Sequence, residues 1–266
     1  MTERMIDLGQ GFWNIRGDLR IAGVLNVGTQ CSLVRLGTGE FVFLDSYALP
    51  DAVLDRVRAL TDGGRAVRAI LNLHPFHTLH CETMHRLFPD ALLLGSERHH
   101  QKWPDLPWQS DRVESAAVAA RFPGLSFSRP DGIDYISDNE RVHAGSLLAY
   151  HPASRSLHVD DTLNVLPIPG LVRRLLGLPR LAFHPTLGQA VQDRSGAAQE
   201  FRAWARRIAR DWGDARTVCA AHSDTLEIAP GRFAQCIDKA LTAAEPALRR
   251  AEARRNKGSA QPGDQR

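Results

Sequence analysis

The chain has 266 residues, of which 43% are hydrophobic and 24% are charged, and its formal net charge is +3. This composition excludes an intrinsically disordered protein, because a chain of this length can bury a substantial hydrophobic core. The small net charge, without a basic block over aromatic residues, argues against a nucleic-acid partner. No run approaches the 18 or so consecutive apolar residues of a membrane-spanning helix, so we expect no membrane association.

The number and spacing of the cysteines indicate the redox state of the thiols. The chain has four of them, far apart in the sequence and without a CxxC pair. A chain of this size does not need disulfide bonds to fold, and thiolate zinc spacing is not seen. The N-terminal residues also lack the apolar core of a signal peptide. We therefore expect reduced thiols and a cytoplasmic location.

The first 45 residues are predicted to form strands, because short β-branched or aromatic runs alternate with glycine at hairpin spacing. These strands are Ile21–Val27, Cys31–Leu36 and Phe41–Leu44. Pro50-Asp51 then begins an amphipathic helix that Gly63-Gly64 ends, and Val67–Leu73 is predicted to be a buried strand.

Helices and strands alternate through the rest of the chain. The predicted helices are Thr78–Phe88, Asp111–Arg121, Leu171–Leu178, Gly196–Trp212 and Pro230–Arg254. The predicted strands are Ala91–Leu94, Arg141–Tyr150, Ser156–Val159 and Thr217–Ala221. This alternation indicates two sheets with helices outside, in a single domain over residues 1–255. The polar tail, residues 256–266, is predicted to be disordered.

Three of the eleven histidines fall within seven residues, directly after a predicted buried strand. They are His74, His77 and His80. Loops after such strands hold side chains against a rigid sheet edge, and neutral imidazole is the commonest metal ligand in proteins. The alternative is a solvated loop with incidental histidines, but three together favour a metal site.

Three further residues stand where a predicted strand meets a loop. His143 precedes one strand, Asp161 follows another, and His222 closes a third. Because a two-sheet fold gathers a site where strands end, these residues extend the candidate metal site. Asp160, directly before Asp161, is the competing carboxylate.

Taken in order, these motifs resemble those of the metallo-β-lactamase-fold hydrolases over most of the chain, from about Leu25 to Asp224. The segments concerned are residues 43–46 (FLDS), 74–80 (HPFHTLH), 143–146 (HAGS), 159–163 (VDDTL) and 221–223 (AHS). They are similar, respectively, to the family's Asp-Thr-Gly strand end, HxHxDH signature, His-Thr-Pro-Gly-Ser turn, Gly-Asp strand end and late Gly-His-Gly.

The resemblance implies an α/β (α+β) fold, arranged as a four-layer αββα sandwich with a metal site at one edge of the paired sheets. The implied ligands of a first ion are His74, His77 and His143. The implied ligands of a second ion are His80, Asp161 and His222. Asp161 stands between the two ions in this assignment.

The signature departs from the family pattern in its spacing, HxxHxxH, and at Leu79. The family's second-metal aspartate falls on this position, and leucine can neither bind a metal nor orient a water molecule. Glu82 is the nearest carboxylate, and we expect it to face solvent. Three alternatives follow: one metal, two metals with altered surroundings, or a pocket that has lost its metal.

Metal chemistry leads to a functional hypothesis. One or two zinc ions, with iron or manganese as alternatives, would activate water for attack on an ester, thioester, amide or phosphoester of a small-molecule substrate. The alternative is a degenerate protein of the same fold that binds a ligand or partner without hydrolysis. The sequence does not identify the substrate or the oligomeric state.

The remaining histidines match no ligand position. Three are expected to be exposed to solvent: His85, His99 and His100. His151 is expected in a hairpin turn and His158 in a strand. His184 follows the Asp161 segment, where the family often places elements that contact substrate, and it is therefore a candidate for substrate contact.

Overall fold

The computed structural model describes residues 4–18, 20–21, 25–26, 28–166, 175, 179–221 and 225–258. The strands in these ranges are β1 (Arg4–Asp7), β2 (Phe12–Gly17), β3 (Arg20–Ile21), β4 (Leu25–Asn26), β5 (Thr29–Arg35), β6 (Phe41–Leu44), β7 (Val67–Leu71), β8 (Leu92–Leu94), β9 (Ser126–Ser128), β10 (Leu148–His151), β11 (Ser156–Val159), β12 (Leu163–Val165), β13 (Leu181–Phe183), β14 (Thr217–Ala220) and β15 (Thr225–Glu227). The helices are α1 (Asp51–Leu60), α2 (Cys81–Leu87), α3 (Glu97–Lys102), α4 (Ala116–Ala120), α5 (Leu187–Ala190), α6 (Ala197–Asp211) and α7 (Phe233–Gly258).

Two large sheets organise the molecule. The first has six strands in the order β1-β2-β5-β6-β7-β8, and the second has five in the order β15-β14-β11-β10-β9. Strands β6, β7 and β8 run parallel, as do β11 and β14. The carboxyl ends of parallel neighbours lie at the same edge of a sheet, so the loops after β6 and β7 begin side by side.

Side chains alternate along the strands between separate hydrophobic clusters. On β6, Phe41 and Phe43 belong to a cluster with residues of α1 and α2. Val42 and Leu44, on the opposite face, belong to a cluster that also includes Ala149 and residues of the second sheet. The middle cluster therefore lies between the two sheets, as the period-two alternation of a strand requires.

The outer face of the second sheet packs on helices. Leu148 and Tyr150 of β10 belong to a third cluster, which includes Phe201 and Trp204 of α6 and Phe233 of α7. The mixed α/β fold class predicted from the sequence is thus confirmed. None of the helices in the described ranges is both long and apolar enough to cross a bilayer.

Several predicted elements are shorter in the structure. The helix predicted over Asp111–Arg121 is limited to α4, because Ser115 caps it and accepts a hydrogen bond from the Val118 amide. Of the predicted strand Arg141–Tyr150, only the part from Leu148 onward pairs in a sheet.

Two further predicted helices lie near the limits of the described residues. Helix α7 ends at Gly258 rather than at Arg254, and the rest of the predicted tail lies outside the described residues. Apart from Leu175, the helix predicted over Leu171–Leu178 also lies outside them.

Candidate metal centre

Strand ends from both sheets supply the candidate site. Asp45 follows β6, His74 lies three residues after β7, and Asp160 and Asp161 follow β11. The two sheets meet here, because His74 Nε2 on the first sheet's loop lies 3.3 Å from Asp161 Oδ2 on the second. Residues distant in sequence are therefore brought together by the packing of the sheets.

Asp161 is the centre of a histidine cluster. Its Oδ2 atom lies 2.9 Å from His143 Nδ1, 3.3 Å from His74 Nε2 and 3.7 Å from His77 Nε2. The residue is only 2% exposed. His184 lies beside His143, with the two ring centroids 5.0 Å apart. One buried carboxylate oxygen thus faces nitrogen atoms from three histidines.

His74 is fully buried and held at both ring nitrogen atoms. The Phe76 amide donates to Nδ1 at 3.1 Å, and Nε2 lies 3.0 Å from the His143 carbonyl oxygen. Burial and the nearby charge of His77 lower the pKa of His74 to about 3. The ring is therefore neutral at physiological pH, which is the form of imidazole that binds metals.

His77 lies between two carboxylates. Its ring stacks on His74 with centroids 4.1 Å apart, while Nδ1 lies 3.6 Å from Asp160 Oδ1 and Nε2 lies 3.7 Å from Asp161 Oδ2. Burial opposes a positive charge on this ring, but the close approach and the charges of Asp160 and Asp161 raise the pKa of His77 well above its usual value. The surroundings of His77 therefore favour a cation.

A chain of buried polar contacts fixes Asp45. Its Oδ1 atom accepts a hydrogen bond from the Leu73 amide at 2.7 Å, and its Oδ2 atom lies 2.9 Å from His158 Nε2. His158 Nδ1 lies 2.9 Å from Ser32 Oγ, which accepts from Asn14 Nδ2 at 3.1 Å. Burial opposes ionisation, but the hydrogen bond and charge of His158 hold the pKa of Asp45 below its usual value.

The turn that carries His143 is held by the residue after Asp161. Thr162 Oγ1 accepts from the Ser146 amide at 2.9 Å and donates to the Ala144 carbonyl at 2.8 Å. Gly145 packs against the chain at residues 134–135, where a Cβ atom would lie 2.6 Å from a backbone oxygen. Thr162 and Gly145 thereby couple the position of His143 to that of the neighbouring Asp161.

The fold can be compared directly with solved structures. A metallo-β-lactamase from Erythrobacter litoralis, with β-mercaptoethanol in its active site, superposes with a TM-score of 0.57 at 17% identity, over 91% of this chain and 96% of that one. The chain has the metallo-β-lactamase fold.

Two further solved structures share the metallo-β-lactamase fold with this chain. FIM-1 from Pseudomonas aeruginosa, in its mono-zinc form, gives a TM-score of 0.57 at 11% identity, over 93% and 97% of the two chains. A metallo-β-lactamase from Hirschia baltica gives 0.55 at 12% identity, over 88% and 95%. No protein-family model matches the sequence, and no curated protein matches it significantly.

The metallo-β-lactamase fold brings four of the six predicted metal ligands together. These are His74, His77, His143 and Asp161. His80 belongs to none of the groups of potential ligands found in the described part of the chain, and its ring lies edge-on to Tyr47. His222 lies outside the described residues, so its role stays a prediction.

Three residues join the cluster without having been assigned as ligands. His184 forms a group of potential ligands with His143 and Asp161, whereas Asp45 and Asp160 form one with His77. The same strand-end criterion could have identified them as candidate ligands, because each directly follows the last residue of a strand.

Among the histidines outside the cluster, the strand position predicted for His158 is confirmed, whereas the exposure predicted for His99 is wrong. The His99 side chain is fully buried. His99 Nδ1 accepts from the Ser96 amide at 3.1 Å, and its ring packs 5.5 Å from that of Trp108. Tertiary packing, rather than the polar sequence of α3, decides its environment.

The donors around Asp161 fit a divalent metal ion. In the groups His74-His77-Asp161 and His143-Asp161-His184, the potential ligand atoms of each group lie within 4.8 Å of one another. Imidazole nitrogen with carboxylate oxygen suits zinc, iron or manganese. A buried carboxylate also needs a compensating positive charge, because its transfer out of water is costly.

Proposed function

We propose that this chain is a metal-dependent hydrolase that acts on an ester, thioester, amide or phosphoester bond of a small-molecule substrate. The observation that carries the proposal is the approach of three histidines to the buried Oδ2 atom of Asp161, at 2.9, 3.3 and 3.7 Å. The mono-zinc form of FIM-1, which has the same fold, supports zinc as the ion.

Asp161, His143 and His74 are the ligands we assign to the catalytic ion, with His184 adjacent to them. A zinc ion held by such donors lowers the pKa of coordinated water to about 7 and polarises a carbonyl or phosphoryl oxygen. Thr162 contributes by position, because its hydroxyl group ties the His143 turn to Asp161. Such supporting contacts orient metal ligands.

Metal analysis tests the ligand assignment. Protein purified without added metal, then reconstituted, is expected to hold near-stoichiometric zinc, iron or manganese. Asp161→Asn and His143→Ala are expected to lose that ion, whereas Asp90→Asn, an exposed carboxylate on a turn, keeps it. A wild-type protein with less than about a tenth of an equivalent after reconstitution contradicts the proposal.

Hydrolysis is tested separately with the metal-loaded protein. A panel of thioester, lactone, phosphodiester and β-lactam substrates is expected to give metal-dependent turnover that Asp161→Asn abolishes. Turnover that survives in this variant would contradict the assignment of Asp161 to the catalytic centre.

One observation favours a second candidate, a binding protein of the same fold without hydrolytic activity. Leu79 is 66% exposed and occupies the position where the family resemblance places a metal-binding aspartate. Exposed leucine offers no donor to a metal or to water. Metal-loaded protein that is inactive on every substrate class in the panel would favour this candidate over the hydrolase.

A further inference from the structure

The Asp160 carboxylate is buried at the candidate metal centre. The residue is 1% exposed, and neither Oδ1 nor Oδ2 accepts a hydrogen bond from the described residues. Its Oδ1 atom lies 3.6 Å from His77 Nδ1 and 3.8 Å from His158 Nε2, beyond hydrogen-bonding distance. Buried carboxylates almost always have partners, so this exception calls for a ligand.

A second carboxylate and an imidazole face the same place. The potential ligand atoms of Asp45, His77 and Asp160 lie within 4.8 Å of one another. Asp45 and Asp160 are both buried, so two carboxylates removed from water face each other and repel. A cation between them would offset this repulsion.

The geometry points to a divalent cation site formed by Asp45, Asp160 and the Nδ1 atom of His77. It is separate from the Asp161 centre, because His77 presents Nε2 to Asp161 and Nδ1 to Asp160. A neutral imidazole gives one nitrogen atom to a metal, so His77 serves this site and the other histidines serve Asp161.

The chain also holds Asp45 in place for such a role. Asp45 has a φ angle of +64°, in the left-handed region that non-glycine residues rarely adopt. The Leu73 amide and the His158 ring, one on each carboxylate oxygen, fix the side chain. A carboxylate has about four lone-pair positions, so lone pairs remain for a metal.

The donor set indicates which ions would bind. Two carboxylates and one imidazole are harder donors than the histidines around Asp161, and they suit manganese or ferrous iron better than zinc. The site also explains how a second ion could be held when Leu79 provides no carboxylate. It does not depend on hydrolytic activity, although it lies beside the proposed catalytic centre.

The test is the stoichiometry of Mn²⁺ binding by the full-length protein, measured by elemental analysis and by the EPR signal of free Mn²⁺. The wild-type protein is expected to bind two equivalents. Asp160→Asn, which keeps the shape of the side chain, is expected to bind one equivalent of Mn²⁺ tightly. Its affinity for the second equivalent is expected to be lower by more than about tenfold. Asp90→Asn is the matched control with two equivalents.

Two variants separate this site from other assignments. His80→Ala is expected to keep both ions, whereas a second site built on His80 would lose one. Asp161→Asn is expected to lose only the ion of the catalytic centre and to keep one equivalent. The double variant Asp161→Asn/Asp160→Asn is expected to lose that remaining equivalent as well. If the protein proves to have no hydrolase activity, the ion held by Asp45, Asp160 and His77 is still expected to bind.

Clear results would overturn the inference. Wild-type protein that binds a single equivalent contradicts it without any variant, and so does folded Asp160→Asn protein with wild-type affinity at both sites. If circular dichroism shows that Asp160→Asn does not fold, Asp45→Asn replaces it, because asparagine tolerates positive φ. Two tightly bound ions in folded Asp45→Asn protein would equally contradict the inference.

Discussion

His158 Nε2 lies 2.9 Å from Asp45 Oδ2, although 113 residues separate the two in the sequence. Asp45 follows β6 of the first sheet, whereas His158 lies in β11 of the second. Both side chains are buried, and the contact continues through Ser32 to Asn14. The inner wall of the candidate metal centre is therefore a polar connection between the two sheets, to which Gln30 of β5 adds hydrogen bonds to the Val159 and Cys219 carbonyl oxygens.

The first prediction concerns the middle of that connection. Ser32→Ala removes the partner of His158 Nδ1 and the acceptor of Asn14 Nδ2 while both remain buried. We expect the free energy of unfolding in urea to fall by about 1–3 kcal/mol. Ser195→Ala, at an exposed serine, should change it by less than about 0.5 kcal/mol. Equal losses in the two variants would show that the buried contact contributes nothing.

The second prediction concerns the turn of His143. A Cβ atom on Gly145 would lie 2.6 Å from the Asp134 carbonyl oxygen and 2.9 Å from the Tyr135 Cα atom. Gly145→Ala is therefore expected to destabilise the protein by about 1–3 kcal/mol and to weaken metal binding, because backbone must move. Gly37→Ala is the control, since nothing lies within 4 Å of its Cβ position. Unchanged metal affinity in folded Gly145→Ala protein would show that this turn does not position the metal ligands.

The third prediction concerns pH. Burial lowers the pKa of His99 to about 4, against about 6.5 in the unfolded chain. As the pH falls from 6.5 towards 4, the unfolded state binds a proton that the folded state does not, so stability is lost. In metal-free protein the loss attributable to His99 approaches about 3 kcal/mol.

Urea unfolding between pH 7.5 and 4.5 measures this effect. His99→Gln should show a shallower decline in stability over this range than the wild-type protein. Ser195→Ala, at an exposed serine without a titratable group, should follow the wild-type curve. Parallel curves for His99→Gln and the wild-type protein would contradict the assigned protonation behaviour.

The fourth prediction concerns Leu79. Its side chain is 66% exposed, so Leu79→Asp places a carboxylate in solvent rather than in the cluster around Asp161. We expect a change in stability below about 0.5 kcal/mol and an unchanged number of bound metal ions. Leu79→Asn is the uncharged control. A gain of metal affinity in Leu79→Asp alone would show that this position reaches the metal.

Much of the fold could be predicted from the local pattern of the sequence. The amphipathic spacing of α6 and the apolar runs of β6 and β7 indicated those elements close to their observed bounds. Elements were mispredicted where tertiary contacts decide, as over residues 141–147, where the Leu147 amide bonds the Leu73 carbonyl instead of a neighbouring strand. Such a segment carries strand-like residues without strand pairing.

The candidate site, like the fold, was predictable from the sequence only in part. The position of histidines and aspartates at strand ends could be predicted from the sequence alone, because hydrophobic runs and turn residues mark those ends locally. Three features depend on tertiary packing: three histidines approach Asp161, the buried Asp160 carboxylate accepts no hydrogen bond from the residues that the structure describes, and Leu79 faces solvent. The physical reason is that burial and proximity depend on how the two sheets pack, and that packing joins residues more than a hundred positions apart.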